Sequence, residues 1–170
     1  MLYIDTAHDI GYLALGEELY LMEGHRHSET AAPLLERLWS PKIEAIAVGV
    51  GPGSYTGLRV GIALAQGIHL ATGVPLLTYC SLAPYWTIGS VACFDARAGG
   101  AYCWDGKRAW RASVEELGQM EAPLVSPDAA LIGKRLQEAG SDKGVQVGKL
   151  DLSRVVPAKG APTPLYLKRL

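Results

Sequence analysis

The chain has 170 residues, 49% of them hydrophobic, and its 16 basic and 17 acidic side chains give a formal net charge of −1. This length suits one domain or two small lobes, and the apolar fraction excludes a disordered chain. Residues 1–85 carry 4 basic and 8 acidic side chains and residues 86–170 carry 12 and 9, but both signs are interleaved, as on a solvated surface. Charge alone therefore predicts neither a nucleic-acid nor a membrane partner.

The N-terminal segment predicts three short strands at 2–6, 11–15 and 18–22, joined by tight turns. An amphipathic helix over 29–40 follows, with Ser28 as its N-cap. His25, His27 and Glu29 alternate, so in an extended segment they would share a face and could bind a metal. We favour the helix cap over this metal site.

Residues 43–50 are mostly small, apolar and β-branched, which predicts a strand buried on both faces. A glycine-rich turn follows, and Ser54 or Thr56 is the N-cap of the next helix. Strand, glycine-rich turn and helix N-terminus also form phosphate-binding loops, but this turn lacks the lysine of a P-loop and the G-x-G-x-x-G spacing. We therefore assign a structural turn to Gly51, Pro52, Gly53 and Gly57, and keep phosphate binding as the alternative.

The helix after this turn ends near Gly73 and is apolar on several faces. Its small residues form two ridges at four-residue spacing, which would let another helix approach closely. We expect one face to pack on the sheet and the other on a partner subunit; the alternative is a helix buried within one domain. The apolar run is too short to span a membrane.

The remaining chain predicts a second set of strands and helices. Strands are expected at 75–78, 90–95, 100–104, 107–111 and 146–147, a helical turn at 81–86, helices at 114–120 and 128–139, and an extended tail from 161. The pattern is α/β with two lobes that repeat in kind, divided into residues 1–88 and 89–170.

Three cysteines, Cys80, Cys93 and Cys103, form neither a C-x-x-C pair nor a zinc spacing, and their odd number disfavours a disulfide framework. The sequence starts in a strand-like segment without the charged and apolar regions of a signal peptide. Both features predict a cytoplasmic protein.

Several motifs, in this order, resemble the TsaB (YeaZ) family. The most specific is the stretch Gly51-Pro52-Gly53-Ser54-Tyr55-Thr56-Gly57-Leu58-Arg59. Supporting motifs are Ile4-Asp5-Thr6, His27-Ser28-Glu29-Thr30, Phe94-Asp95-Ala96-Arg97 and Pro164-Leu165-Tyr166-Leu167. The resemblance implies an actin-like (ASKHA, ribonuclease H-like) two-lobed fold with mixed sheets, in which this chain's second lobe is shortened.

The resemblance also implies a role in making N6-threonylcarbamoyladenosine at position 37 of tRNA. Family members resemble the catalytic subunit TsaD but do not perform the transfer. They bind TsaD through a helical face, act with the ATPase TsaE, and often form homodimers through the same face. ATP and metal are then expected on partner subunits, and tRNA is reached through the complex.

The family pattern implies a partner surface on the two helices of the first lobe. Its candidate residues are Glu29, Tyr55, Leu58, Arg59, Ile62, Ala65, Gln66 and His69. No catalytic, cofactor-binding or metal-binding residue is predicted, because the segment after Asp5 lacks the glycine of an ASKHA phosphate loop. The leading hypothesis is thus a non-catalytic scaffold, and the alternative is a nucleotide-binding enzyme that uses the Gly51–Gly57 turn.

Overall fold

The computed structural model describes residues 1–24, 26–97 and 99–167. The chain divides into two compact units, one of residues 1–81 and 156–166 and the other of residues 82–155 with Leu167. Residues 156–166 therefore belong to the first unit. The division expected from the sequence, into residues 1–88 and 89–170, assigns them to the second lobe. None of the described helices is long and apolar enough to cross a membrane.

The first unit is a mixed sheet covered by two helices. Its elements are β1 (Leu2–Asp5), β2 (Ile10–Leu15), β3 (Glu18–Glu23), α1 (His27–Leu38), β4 (Ile46–Gly49), α2 (Tyr55–Thr72) and β5 (Leu76–Tyr79). The strand order is β3-β2-β1-β4-β5, antiparallel through β1 and parallel from β1 to β5. Because β4 lies in the middle, its residues Ile46, Ala47 and Val48 are 0% exposed, as expected for a strand buried on both faces.

The second unit repeats this arrangement. Its elements are β6 (Val91–Asp95), β7 (Gly100–Trp104), β8 (Ala109–Ser113), α3 (Val114–Gln119), β9 (Leu124–Ser126), α4 (Ala129–Glu138) and β10 (Val145–Val147). The order β8-β7-β6-β9-β10 again joins an antiparallel meander to parallel strands. The predicted repetition of the two lobes in kind is thus confirmed. A short strand, β11 (Ala158–Lys159), pairs with β5 in the first sheet.

Two local predictions differ from the structure. Helix α1 begins at His27, after an N-cap at Arg26 that has no side-chain hydrogen bond, so Ser28 lies inside the first turn and is not the cap. Strand β9 was not predicted, because its three residues stand between Pro123 and Pro127 and are too few to show a period. At α2, Ser54 rather than Thr56 is the cap, and its side chain accepts a hydrogen bond from the Gly57 amide.

Candidate functional site

The glycine-rich turn between β4 and α2 packs directly on the residues that follow β1. The Ser54 amide donates to the Ala7 carbonyl at 2.7 Å, and the Thr6 hydroxyl donates to the Gly57 carbonyl at 2.6 Å. A Cβ at Gly53 would overlap the backbone of Ala7, and one at Gly57 would overlap the Thr6 carbonyl. These two glycines are therefore required by the close approach of two chain segments.

Three amides of this turn, those of Gly51, Ser54 and Gly57, donate to partners within the chain. The Gly51 amide donates to the Ser81 hydroxyl at 3.0 Å, and the Gly57 amide donates to the Ser54 hydroxyl at 3.3 Å. Gly51 has a φ of +104°, which favours glycine, and Pro52 beside it is buried. A bound phosphate uses such amides as donors. Here the Gly51, Ser54 and Gly57 amides hold the turn together, and their use within the chain counts against the phosphate-loop alternative.

Asp5, at the end of β1, is only 3% exposed. One carboxylate oxygen, Oδ1, accepts a hydrogen bond from the Ala7 amide at 2.8 Å. Burial raises the pKa of Asp5 from 3.8 to about 6 and outweighs the opposing effect of the nearby Ala7, Ser81 and Tyr79 donors. A Cβ at Gly49 would overlap the same carboxylate. The Asp5 side chain is therefore enclosed by the chain, and a ligand could reach it only if this packing opened.

The described residues of the predicted metal set, His27 and Glu29, do not come together as a metal site. His27 is buried, and its Nε2 lies 3.0 Å from the His8 carbonyl oxygen. Glu29 is exposed, and its Oε2 atom lies 3.7 Å from Nη1 of Arg26. The two residues point to different sides of α1, as positions two apart on a helix must. Among the described residues no three His, Cys, Asp or Glu side chains could hold a metal ion, and His25 lies outside those residues.

Helix α2 has one face in the core of the first unit. This face consists of Gly57, Leu58, Gly61, Ile62, Ala65 and Ile68. Leu58, Ile62 and Ala65 are 0%, 5% and 0% exposed. These three candidates for the partner surface cannot be reached by another protein, because they pack inside the unit. Sequence alone did not fix the rotation of α2, since apolar residues occur on several of its faces.

The opposite stripe of α2 is open to solvent. We define the exposed α2 face as Tyr55, Arg59, Ala63, Gln66 and Leu70, which recur at helical spacing. Tyr55 is 59% exposed and Leu70 is 83% exposed. The Arg59 guanidinium lies 5.3 Å from the centre of the Tyr55 ring, and its Nη1 donates to the Tyr55 hydroxyl at 3.0 Å. The stripe thus combines one aromatic ring, two apolar side chains, one cation and the polar Gln66.

Three sequence candidates, Tyr55, Arg59 and Gln66, fall on this exposed face, and Glu29 is exposed on α1. His69 is half-buried, with its Nδ1 2.8 Å from the Val74 carbonyl oxygen. Sequence reasoning missed Leu70, although its position four residues after Gln66 places it on the same stripe.

The two small-residue ridges of α2 have different surroundings. The ridge of Gly57, Gly61 and Ala65 lies in the core, where a Cβ at Gly61 would approach the Thr6 hydroxyl to 2.5 Å. The ridge of Ala63, Gly67 and Ala71 is exposed. An open groove of about 380 Å³ adjoins the exposed α2 face and is lined by Gln66, His69, Leu70, Leu76, Gly160 and Pro162. Small residues beside a groove leave room for close approach of a partner.

The fold and its two βββαβαβ units define an α/β protein of the actin-like, ribonuclease H-like class, and comparisons with known proteins agree. A crystal structure described as an uncharacterized protein with similarity to peptidase YEAZ from Pseudomonas aeruginosa is 21% identical, covers 98% of both chains and has a TM-score of 0.66. A second structure, YeaZ from Pseudomonas aeruginosa, is 24% identical, covers 74% of each chain and has a TM-score of 0.61.

A family model described as TsaD, tRNA N6-adenosine threonylcarbamoyltransferase, matches residues 23–151. This match covers more than half of the chain, and the chain therefore belongs to that family. The YeaZ description of both structural neighbours agrees with the predicted TsaB (YeaZ) membership. No curated protein matches the sequence.

Proposed function

We propose that this chain is a non-catalytic scaffold or activator subunit that binds the catalytic subunit TsaD and acts with the ATPase TsaE in the synthesis of N6-threonylcarbamoyladenosine in tRNA. The observation that carries the proposal is the exposed α2 face. Tyr55 and Leu70 are 59% and 83% exposed on an 18-residue helix whose one charged residue is Arg59.

An aromatic and apolar helix face of this kind is stabilised when another protein covers it. Tyrosine and arginine are also enriched among the residues that contribute most to binding at protein interfaces. Helix α1 lies beside α2, so its exposed Glu29 could border the same surface. In the absence of TsaD, we propose that a second copy of the chain occupies this face.

The non-catalytic part of the proposal is supported by the environment of the residues that a nucleotide would need. Asp5 is enclosed by the chain, and the Gly51 and Gly57 amides donate to Ser81 and Ser54. We therefore propose that ATP and metal bind to partner subunits and that tRNA is reached through the complex.

Light-scattering chromatography of the chain with its cognate TsaD tests the proposal. We expect a stable heterodimer, and a chain that neither binds TsaD nor dimerises would contradict it. Calorimetry with Mg-ATP on the chain alone tests the enzyme alternative. Saturable heat that Asp5→Ala abolishes would favour a nucleotide-binding enzyme, whereas the scaffold proposal predicts no saturable heat.

A further inference from the structure

The β7–β8 hairpin of the second unit concentrates positive charge. Residues 96–113 carry four basic side chains and one acidic side chain, whereas residues 82–155 as a whole carry nine of each. The rest of this unit is therefore acidic on balance. Three of the four cations, Lys107, Arg108 and Arg111, lie at the tip of the hairpin or on β8. An uneven distribution of this kind attracts a polyanion even when net charge is near zero.

Two aromatic rings and the cation Arg111 lie on one face of the hairpin, and Lys107 lies at its tip. Tyr102 is paired with Arg111 and Trp104 with Ala109 across β7 and β8. Alternate residues of a strand share a face, so Tyr102, Trp104 and Arg111 point away from Cys103, which packs in the core of this unit. All three are half-buried, and part of each side chain is therefore accessible.

The tip of the hairpin is held by its own hydrogen bonds. The Asp105 carboxylate accepts from the amides of Lys107 and Arg108, both at 2.9 Å. The ring of Trp86 packs edge-on against Trp104, with centroids 5.3 Å apart and planes at 62°. These contacts hold the backbone of the tip and the Trp104 ring in place before any ligand binds, which lowers the entropy cost of binding.

Two of the cations are available for a ligand. The Nε atom of Arg108 lies 3.8 Å from Oδ2 of Asp105, and its Cζ atom lies 5.1 Å from the centre of the Trp110 ring. Arg108 therefore already has a carboxylate and an aromatic partner. Lys107 and Arg111 have no carboxylate partner in the part of the chain that the structure describes. We define the hairpin face as Tyr102, Trp104, Lys107 and Arg111.

We propose that the hairpin face binds single-stranded RNA. Tyr102 and Trp104 stack on bases, and Lys107 and Arg111 contact phosphates. Base stacking on aromatic side chains next to a basic track is how proteins bind single strands without reading sequence. The rings favour RNA over an acidic protein segment, because Asp and Glu side chains carry no aromatic ring that could stack on them. The proposal goes beyond the scaffold role, in which tRNA is reached through the complex, and it does not depend on TsaD binding.

Fluorescence anisotropy with a labelled oligouridylate and the full chain tests the proposal. We expect saturable binding to the native chain and weaker binding to the double variant Lys107→Gln/Arg111→Gln. The slope of log affinity against log salt should fall by about 1 to 2 in that variant. Trp104→Ala should weaken binding about fivefold or more, whereas Trp104→Phe keeps a ring and should bind nearly as the native chain does.

Matched controls separate this face from general charge. Lys134→Gln/Lys149→Gln removes the same charge from elsewhere in the second unit and should leave binding unchanged. If circular dichroism shows that the Trp104→Ala chain is unfolded, Tyr102→Ala is used in its place to remove a ring. The proposal is overturned if the native chain does not bind, or if the control pair weakens binding as much as the hairpin pair. It is also overturned if the ring variants bind normally and polyglutamate competes as well as RNA, which would indicate an acidic protein partner.

Discussion

The phenol ring of Tyr166 lies against the ring of Tyr55, with centroids 4.9 Å apart and planes inclined by 32°. One residue earlier, the Leu165 amide donates to the Val50 carbonyl at 2.7 Å. These contacts attach the C-terminal segment to the residue that follows β4 and to the first residue of α2. Tyr166 is still 44% exposed, so this segment borders the exposed α2 face and adds a second aromatic ring to it.

Loss of the Tyr166 ring should loosen this attachment. An aromatic pair contributes about 0.5–1.5 kcal/mol, so Tyr166→Ala should make hydrogen exchange of the Leu165 amide about two- to tenfold faster. Tyr166→Phe keeps the ring and is the control. Unchanged exchange in Tyr166→Ala would show that the Leu165–Val50 hydrogen bond does not depend on the ring contact.

The rotation of α2 predicts that two charge substitutions on this helix differ in their effect on the free energy of unfolding. Ile62 is 5% exposed, and Ile62→Glu would bury a carboxylate without a partner, which we expect to cost about 3 kcal/mol or more in the free energy of unfolding. Leu70 is 83% exposed, and Leu70→Glu should change stability by no more than about 0.5 kcal/mol. Urea unfolding of both variants measures the difference, and equal losses would mean that the helix is rotated differently.

The buried Asp5 makes stability depend on pH. An ordinary aspartate has a pKa of 3.8, whereas the pKa of Asp5 is about 6 in the folded chain, so the folded state holds the proton more tightly than the unfolded state. The contribution of Asp5 to stability is then most favourable below about pH 4, falls as the pH rises towards 6, and stays lower above it. Asp5→Asn removes the charge and should stabilise the chain at pH 8 by up to about 3 kcal/mol, with no gain near pH 4.

Thermal unfolding of the native chain and Asp5→Asn across this pH range measures the effect. Asp151→Asn is a control of opposite sign, because the Ser153 hydroxyl and amide lower the pKa of the exposed Asp151. Its removal should lose stability at neutral pH. A gain from Asp5→Asn that is the same at every pH would contradict the assignment of the effect to ionisation.

Asp95, the last residue of β6, forms an ion pair with Arg135 that should stabilise the second unit. The Asp95 carboxylate accepts two hydrogen bonds from this guanidinium, at 2.5 and 3.4 Å, and both side chains are partly buried. Arg135→Ala would leave Asp95 without its cation and should destabilise the chain by about 1–3 kcal/mol. The double variant Asp95→Asn/Arg135→Ala should recover part of this loss. If the double variant unfolds at the same urea concentration as Arg135→Ala, the unpaired charge of Asp95 is not the cause of the loss.

Sequence predicted the fold where local patterns and burial agree. The meander β1–β3, the buried strand β4 and the Ser54 cap of α2 all follow from residues close together in the chain. Strand β11 could not be found in this way, because Ala158 and Lys159 pair with β5, about 80 residues earlier in the chain. Its position depends on tertiary pairing rather than on a period.

The candidate surface was predicted only in outline. The family motif selected α2, but apolar residues on several of its faces left the rotation open, so Leu58, Ile62 and Ala65 were placed on the surface although they lie in the core. The cap at Ser28 was wrong for a related reason. Sequence shows which residues can cap a helix, whereas the contact between His27 and the His8 carbonyl oxygen, made inside the unit, places the first turn of α1 earlier.

The most direct test of the scaffold proposal is light-scattering chromatography of Leu70→Glu with TsaD. The matched control is Val147→Glu, an exposed apolar residue of β10 that is 73% exposed. We expect the native chain and Val147→Glu to form the heterodimer, and a folded Leu70→Glu to stay apart from TsaD. A Leu70→Glu chain that assembles as the native chain does would contradict the assignment of the exposed α2 face as the partner surface.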